Sequence, residues 1–280
     1  MQMTAHLVPG ITTVTINARY YALHGYIATV ADEQGLDWAA TSELLRRCEV
    51  VIAASTIAHP SSTSPYTAHG SDYIEPLLTA GEIDMRKISA PGAYSQNQSG
   101  FLNPYLGGEL EMGILADSSL TPGSRIARGA LSEGFNGLLE LARRDHLTLH
   151  DVRDAGADLS MHHAATSADG RWLARIFCGV GLDDVHATDT TRRNTIRLLA
   201  RALELAPSSS AEDSFYSAIG YGPLVRTDPI LSTIDEVHPW RGTLLRRHSV
   251  NAWRELWAWL VDQIGLGLDA VDGHTAASDL

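Results

Sequence analysis

Apolar positions recur at three- and four-residue spacing along most of this chain, and glycine, proline and capping residues punctuate the runs. Between Thr15 and Gln34, Tyr20, Leu23, Ile27 and Val30/Ala31 share one face and Gly35 closes the run, which predicts a first helix. Asp37 is placed to cap a second helix with Leu44, Leu45, Cys48, Val51 and Ile52 on its core face. Helices of this length take most of their stability from packing, so the two are expected to bury against each other. Ser71 is placed to cap a short helix reaching Gly81, and Thr148 another over 149–155 that Gly156 ends. Asp169–Gly179 reads as a helix with Trp172, Leu173, Ile176 and Phe177 inward. Thr188 or Asp189 opens a long helix to Leu205, with Ile196, Leu199 and Leu203 toward the core and Pro207 as its stop. The last strong run is Ser249–Ile264, where Trp253, Leu256, Trp257, Leu260 and Ile264 share a face.

Residues 104–135 read differently. Short apolar pieces near 104–120 look extended, Asp117–Ser119 makes a tight turn, and Thr121-Pro122 is placed to open a helix running to residue 145. Residues 55–70 and 89–104 are long polar loops, a kind that often carries function. The expected fold class is mainly α: a helical bundle-like domain with a small winged-helix-like α+β element near residues 104–135. The expected division is 1–145, an N-terminal helical domain holding that element, and 146–280, a C-terminal helical domain; a single domain is the alternative.

Composition narrows the function classes. Apolar residues make up 44% and charged residues 19%, the balance of a packed globular chain. The net charge of −12 repels a phosphate backbone on average, so nucleic acid is open to this chain only through local arginine patches. No apolar run approaches the roughly 20 residues that span a bilayer, and no basic-then-apolar segment opens the chain. The expectation is a cytoplasmic protein with no membrane contact. Cys48 and Cys178 sit in apolar helical patterns and read as small buried hydrophobes.

Three constellations have chemical potential. Asp183, Asp184 and His186 lie within a few residues of Asp189 and form a candidate divalent-metal or acid–base cluster, although acids also gather before helix N-termini for the dipole. Arg193, Arg197 and Arg201, at i, i+4 and i+8, form a stripe suited to an anion or an acidic partner. Arg241, Arg246, Arg247 and Arg254 make a second basic patch. Adjacent His162 and His163 diverge in direction and read as surface or capping residues. No phosphate-binding glycine loop and no nucleophile elbow is present, so no catalytic residue is assigned and no cofactor is expected.

The run Val8–Tyr21 (VPGITTVTINARYY), the later Leu-Gly…Gly-Ile-Leu…Leu-Thr-Pro-Gly pattern and the block Arg-Arg-His-x-x-x-Ala-Trp-Arg-x-Leu-Trp at 246–257 resemble an uncharacterised bacterial family, a domain of unknown function found near restriction and anti-phage genes. The resemblance implies a defence-linked, multi-component bacterial system and carries over no active residues. The leading expectation is a non-catalytic subunit of such a system, with other proteins of that system as partners. The alternatives are a metal-dependent hydrolase or nuclease built on Asp183, Asp184 and His186, with His162 or His163 as a further candidate, and a nucleic-acid sensor using the winged-helix-like element.

Overall fold

The structure is a computed structural model and describes residues 2–61, 67–95 and 97–278, with side chains described over 5–265 of these. Helices dominate, and the sheet among the described residues is one antiparallel pair of three-residue strands. The chain folds as two compact units, Val8–Arg193 and Met1–Leu7 with Asn194–Leu280, so the boundary expected near residue 145 falls inside the larger one.

Two helices centre the larger unit, α1 (Arg19–Gln34) and α2 (Trp38–Ala58). Every residue of α1 from Arg19 to Ala31 is buried. Gly35 ends the helix at φ 61°, a left-handed conformation that costs glycine no Cβ clash. The Asp37 carboxylate accepts the Ala40 amide at 2.8 Å and starts α2, as its sequence position predicts. The two helices pack together, with Ile27, Leu45, Cys48, Val51 and Ile52 in one continuous core.

Around them lie α3 (Ser71–Ala80), α4 (Leu102–Glu111), α5 (Arg128–Gly134) and α6 (Ala168–Cys178), with strands β1 (Glu82–Asp84) and β2 (His146–Thr148) paired at Ile83–Leu147. After β2, Thr148 and Asp151 form a capping box that opens the expected short helix, Leu149–Asp154. Helix α6 ends at the predicted Gly179, which is left-handed, starts one residue before its predicted start under a Ser167 cap, and buries Trp172, Leu173 and Ile176.

A buried ion pair fixes α6 to α1. Arg19 Nε donates to Asp169 Oδ2 at 2.9 Å and Nη2 to Oδ1 at 3.2 Å, while its remaining donors reach the carbonyls of Ser160 and Gly134. Phe135 lies under the guanidinium, 5.0 Å from ring centroid to Cζ. Gly134 carries no side chain because a Cβ there would collide with the Asp169 carboxylate. The close approach of α5 to α6 depends on that glycine.

The 104–135 region departs from expectation. Residues 102–111 are helical rather than extended, and the helix expected from Thr121 to 145 is split into α5 and Leu138–Ala142. The reason is where the backbone of 121–125 finds its partners. Ala116 N–H bonds Thr121 O, Gly123 N–H bonds Ile114 O and Arg125 N–H bonds Gly113 O, at 2.8–3.1 Å, with an isolated bridge Leu115–Pro122. Cross-chain pairing with the preceding strand-like piece has replaced the i→i+4 ladder. The Asp117–Ser119 turn forms as predicted, with the Ser119 amide on Asp117 Oδ1 at 2.8 Å. Among the described residues this segment contains one β-bridge and no winged-helix sheet.

Helix α7 (Ala187–Leu205) belongs to the larger unit through Arg193 and to the smaller unit from Asn194. Its core face is one position away from the predicted one. Leu198 and Ala202 are fully buried, whereas Leu199 and Leu203 are about two-fifths exposed. The sequence offers two apolar stripes, and Thr195 decides between them, donating to Leu7 O at 2.6 Å and accepting from Trp240 Nε1 at 2.9 Å. The last helix, α8 (Val237–Ser278), starts a dozen residues before its predicted start. Its first turns pack Val237 and Leu244 into a small core with Leu198, Ile219, Val225 and Leu231.

Candidate functional site

The sequence-predicted residues come first. Arg201 is not free for a ligand: it binds Asp228 through Nε and Nη2, with Nη2–Oδ2 at 2.6 Å, and holds Glu204 at 2.8 Å. Those contacts keep the Asp228 carboxyl down at about 2. Arg193 touches the Thr190 hydroxyl and Arg197 the Asn194 side-chain oxygen, each at 3.4 Å, and neither has an acidic partner among the described residues. The stripe is therefore two unneutralised arginines and one neutralised one.

The acidic cluster resolves into a cap and an ion-pair anchor. Asp183, Asp184 and His186 are exposed, and His186 Nε2 lies 3.5 Å from Asp184 Oδ2. Asp189, fully buried, accepts the His186 amide at 2.9 Å and two bonds from Arg125 at 2.6 and 2.7 Å, and pairs with Arg192 at 2.5 Å. Burial pushes the Asp189 carboxyl up, but Arg125, the His186 amide and Arg192 prevail and hold it near 2. Among the described residues no group of three or more His, Cys, Asp or Glu is arranged to hold a metal ion, so the geometry does not assemble Asp183, Asp184 and His186 as ligands. His163 pairs with Asp158 at 3.3 Å, and His162 lies beside it on a short 3-10 turn.

Two features carry more chemistry, and the first went unread in the sequence. His24 on α1, Glu49 on α2 and Glu109 in the last turn of α4 meet inside the larger unit, all with fully buried side chains. His24 Nδ1 is 2.5 Å from Glu109 Oε1, and its Nε2 is 3.8 Å from Glu49 Oε1. Glu49 also accepts the Phe101 amide at 2.9 Å and the Tyr94 hydroxyl. A side chain on Gly100, at φ 58°, would run into the Glu49 carboxylate, so this loop hugs the acid only because residue 100 is glycine. Tyr20, Tyr105 and His69 line the same place: the Tyr20 oxygen accepts the His69 amide, and His69 Nε2 meets the Tyr105 hydroxyl, both at 3.0 Å.

Burial alone would lower the His24 pKa, yet the Glu109 and Glu49 carboxylates reverse that and lift it to about 9, so His24 is an imidazolium at neutral pH. Burial raises Glu109 against the pull of His24. Burial and the Glu49 charge raise Tyr20 and Tyr94, while burial lowers His69. A short charge-assisted pair at Nδ1 leaves His24 Nε2 and Glu109 Oε2 without hydrogen-bond partners among the described residues. The signal in the sequence was Glu49, a lone acid inside the apolar run Cys48–Ala54 of a helix buried on most sides.

The second feature is the exposed part of α8. Trp253, Leu256, Trp257, Leu260 and Ile264, the expected apolar face, all point outward, as do Trp259 and Val261 beside them, the seven being 37–64% exposed. Arg246, Arg247 and Arg254 share this stretch with Glu255 and Asp262, and Arg247 reaches Glu212 at 3.1 Å. Comparison of the chain with protein-family models, curated proteins and solved structures finds no match.

Proposed function

We propose that this protein is a non-catalytic subunit of a bacterial multi-protein system, of the anti-phage defence kind, that works by protein contacts through α8. The observation that carries this is the outward apolar run at 253–264. Isolated apolar side chains on a surface are ordinary, but a contiguous patch of several hundred Å² on a monomer marks a contact surface. Tryptophan is also the residue most enriched where binding energy concentrates. No described helix is long and apolar enough to cross a membrane.

The test is co-expression of the full chain with each product of the neighbouring genes, followed by binding measurements on purified pairs. The expected result is a defined complex that Trp253→Asp with Trp257→Asp weakens at least tenfold. The same double variant, placed in the intact gene cluster, should abolish any protection against phage in a plaque assay. Complexes indifferent to both substitutions would overturn the reading.

A further inference from the structure

Within the exposed part of α8 the apolar positions are not scattered. Val250, Trp253, Trp257, Leu260 and Ile264 follow one another at spacings of three, four, three and four residues, the alternation of a coiled-coil seam. All five are exposed, and Leu256 and Val261 flank them, broadening the strip on both sides. A long helix needs a packed face to be stable in water, and this one has its face unpacked.

We infer that the occupant of this face is a second copy of the chain, its α8 lying antiparallel to the first. This rests on the contact reading of α8 given above and names the partner. Charge selects the orientation. The N-terminal part of the helix carries Arg241, Arg246, Arg247 and Arg254, and the acids of its described side chains, Glu255 and Asp262, follow. Parallel pairing would set Arg246 and Arg247 level with themselves, a like-charge arrangement that costs stability. Antiparallel pairing centred near residue 255 layers Val250 on Leu260 and Trp253 on Trp257, and brings Asp262 level with the Arg247–His248 stretch.

The size also fits. Tryptophans bury on the order of 150–250 Å² each. With the exposures found, the strip offers roughly 600–700 Å² per copy, or about 1,300 Å² for the pair, within the range of stable interfaces. A lipid surface is disfavoured, because Glu255 and Asp262 interrupt the basic face that would meet anionic headgroups.

Sedimentation of the full chain across about 1–50 μM tests this. The expected species has twice the 30.3 kDa chain mass, and Trp257→Asp with Leu260→Asp should raise the dissociation constant at least a hundredfold. Orientation is read from V250C and L260C chains oxidised separately and mixed. Antiparallel pairing gives a disulfide only in the mixture, whereas cross-linking of V250C alone would overturn the orientation. A monomer at every concentration overturns the pairing. If that monomer still binds a neighbouring gene product through α8, the contact reading stands without it. If it binds only anionic phosphatidylserine vesicles, or nothing while its tryptophans resist acrylamide quenching, both fall.

Discussion

Replacing Asp169 with alanine tests a fully buried ion pair of the larger unit. Asp169 takes two of the Arg19 guanidinium bonds, from Nε at 2.9 Å and from Nη2 at 3.2 Å, and both side chains are essentially inaccessible to water. Removing the acid leaves a buried cation held only by two carbonyls and the Phe135 face. Water cannot resolvate that charge without opening the α1–α6 contact. Breaking one side of a buried pair costs about 3–5 kcal/mol, a large share of the roughly 5–15 kcal/mol that stabilises a whole domain. In a unit of this size the melting temperature should fall on the order of 10 °C.

Urea unfolding followed by far-UV circular dichroism measures the loss. Two controls separate charge from packing. Arg19→Met with Asp169→Leu removes both charges and should recover most of the stability, because the desolvation penalty goes with them. Asp145→Ala breaks Arg86–Asp145, a pair of the same 2.9 Å length that is more than half exposed, and should change stability by under about 1 kcal/mol. If Asp169→Ala cost no more than Asp145→Ala, Arg19 would have to be hydrated and the burial argument would be wrong.

Three further outcomes follow from named contacts. His24 has a folded pKa near 9, above its ordinary 6.5, so its contribution is complete below pH 6.5 and is lost as pH rises through 9; Glu109, also raised, acts in the same sense. Stability should decline by about 1–3 kcal/mol from pH 6.5 to 9 in denaturant titrations, and His24→Gln should flatten that slope. Gly100→Ala should destabilise the chain measurably, since its Cβ meets the Glu49 carboxylate and φ 58° strains alanine; a melting temperature unchanged within a degree would show that the loop yields. Arg197→Glu should leave the melting temperature unchanged while Arg201→Ala lowers it, because only Arg201 is tied to a nearly buried acid; equal effects would contradict the contacts at Asp228.

Local chemistry was legible wherever a backbone group had one nearby choice. Gly35, Asp37, Thr148 and Gly179 mark their helix ends in the sequence because caps and left-handed turns act within a few residues. The mainly helical class follows from the same periodicity. Residues 121–125 misled because Thr121-Pro122 satisfies every local rule for a helix start, yet Gly113, Ile114 and Ala116, brought alongside by the fold, take those hydrogen bonds instead. The rotation of α7 was equally hidden, since two apolar stripes lie one position apart and a hydroxyl on Leu7 O chooses between them.

What a charged residue meets across the core has no signature in spacing. His24, Glu49 and Glu109 stand on three different helices, and Arg19 and Asp169 are 150 positions apart. Periodicity places a side chain on a face, and only tertiary packing supplies what that face meets. For α8 it left the tryptophan face open, where the sequence alone reads as core.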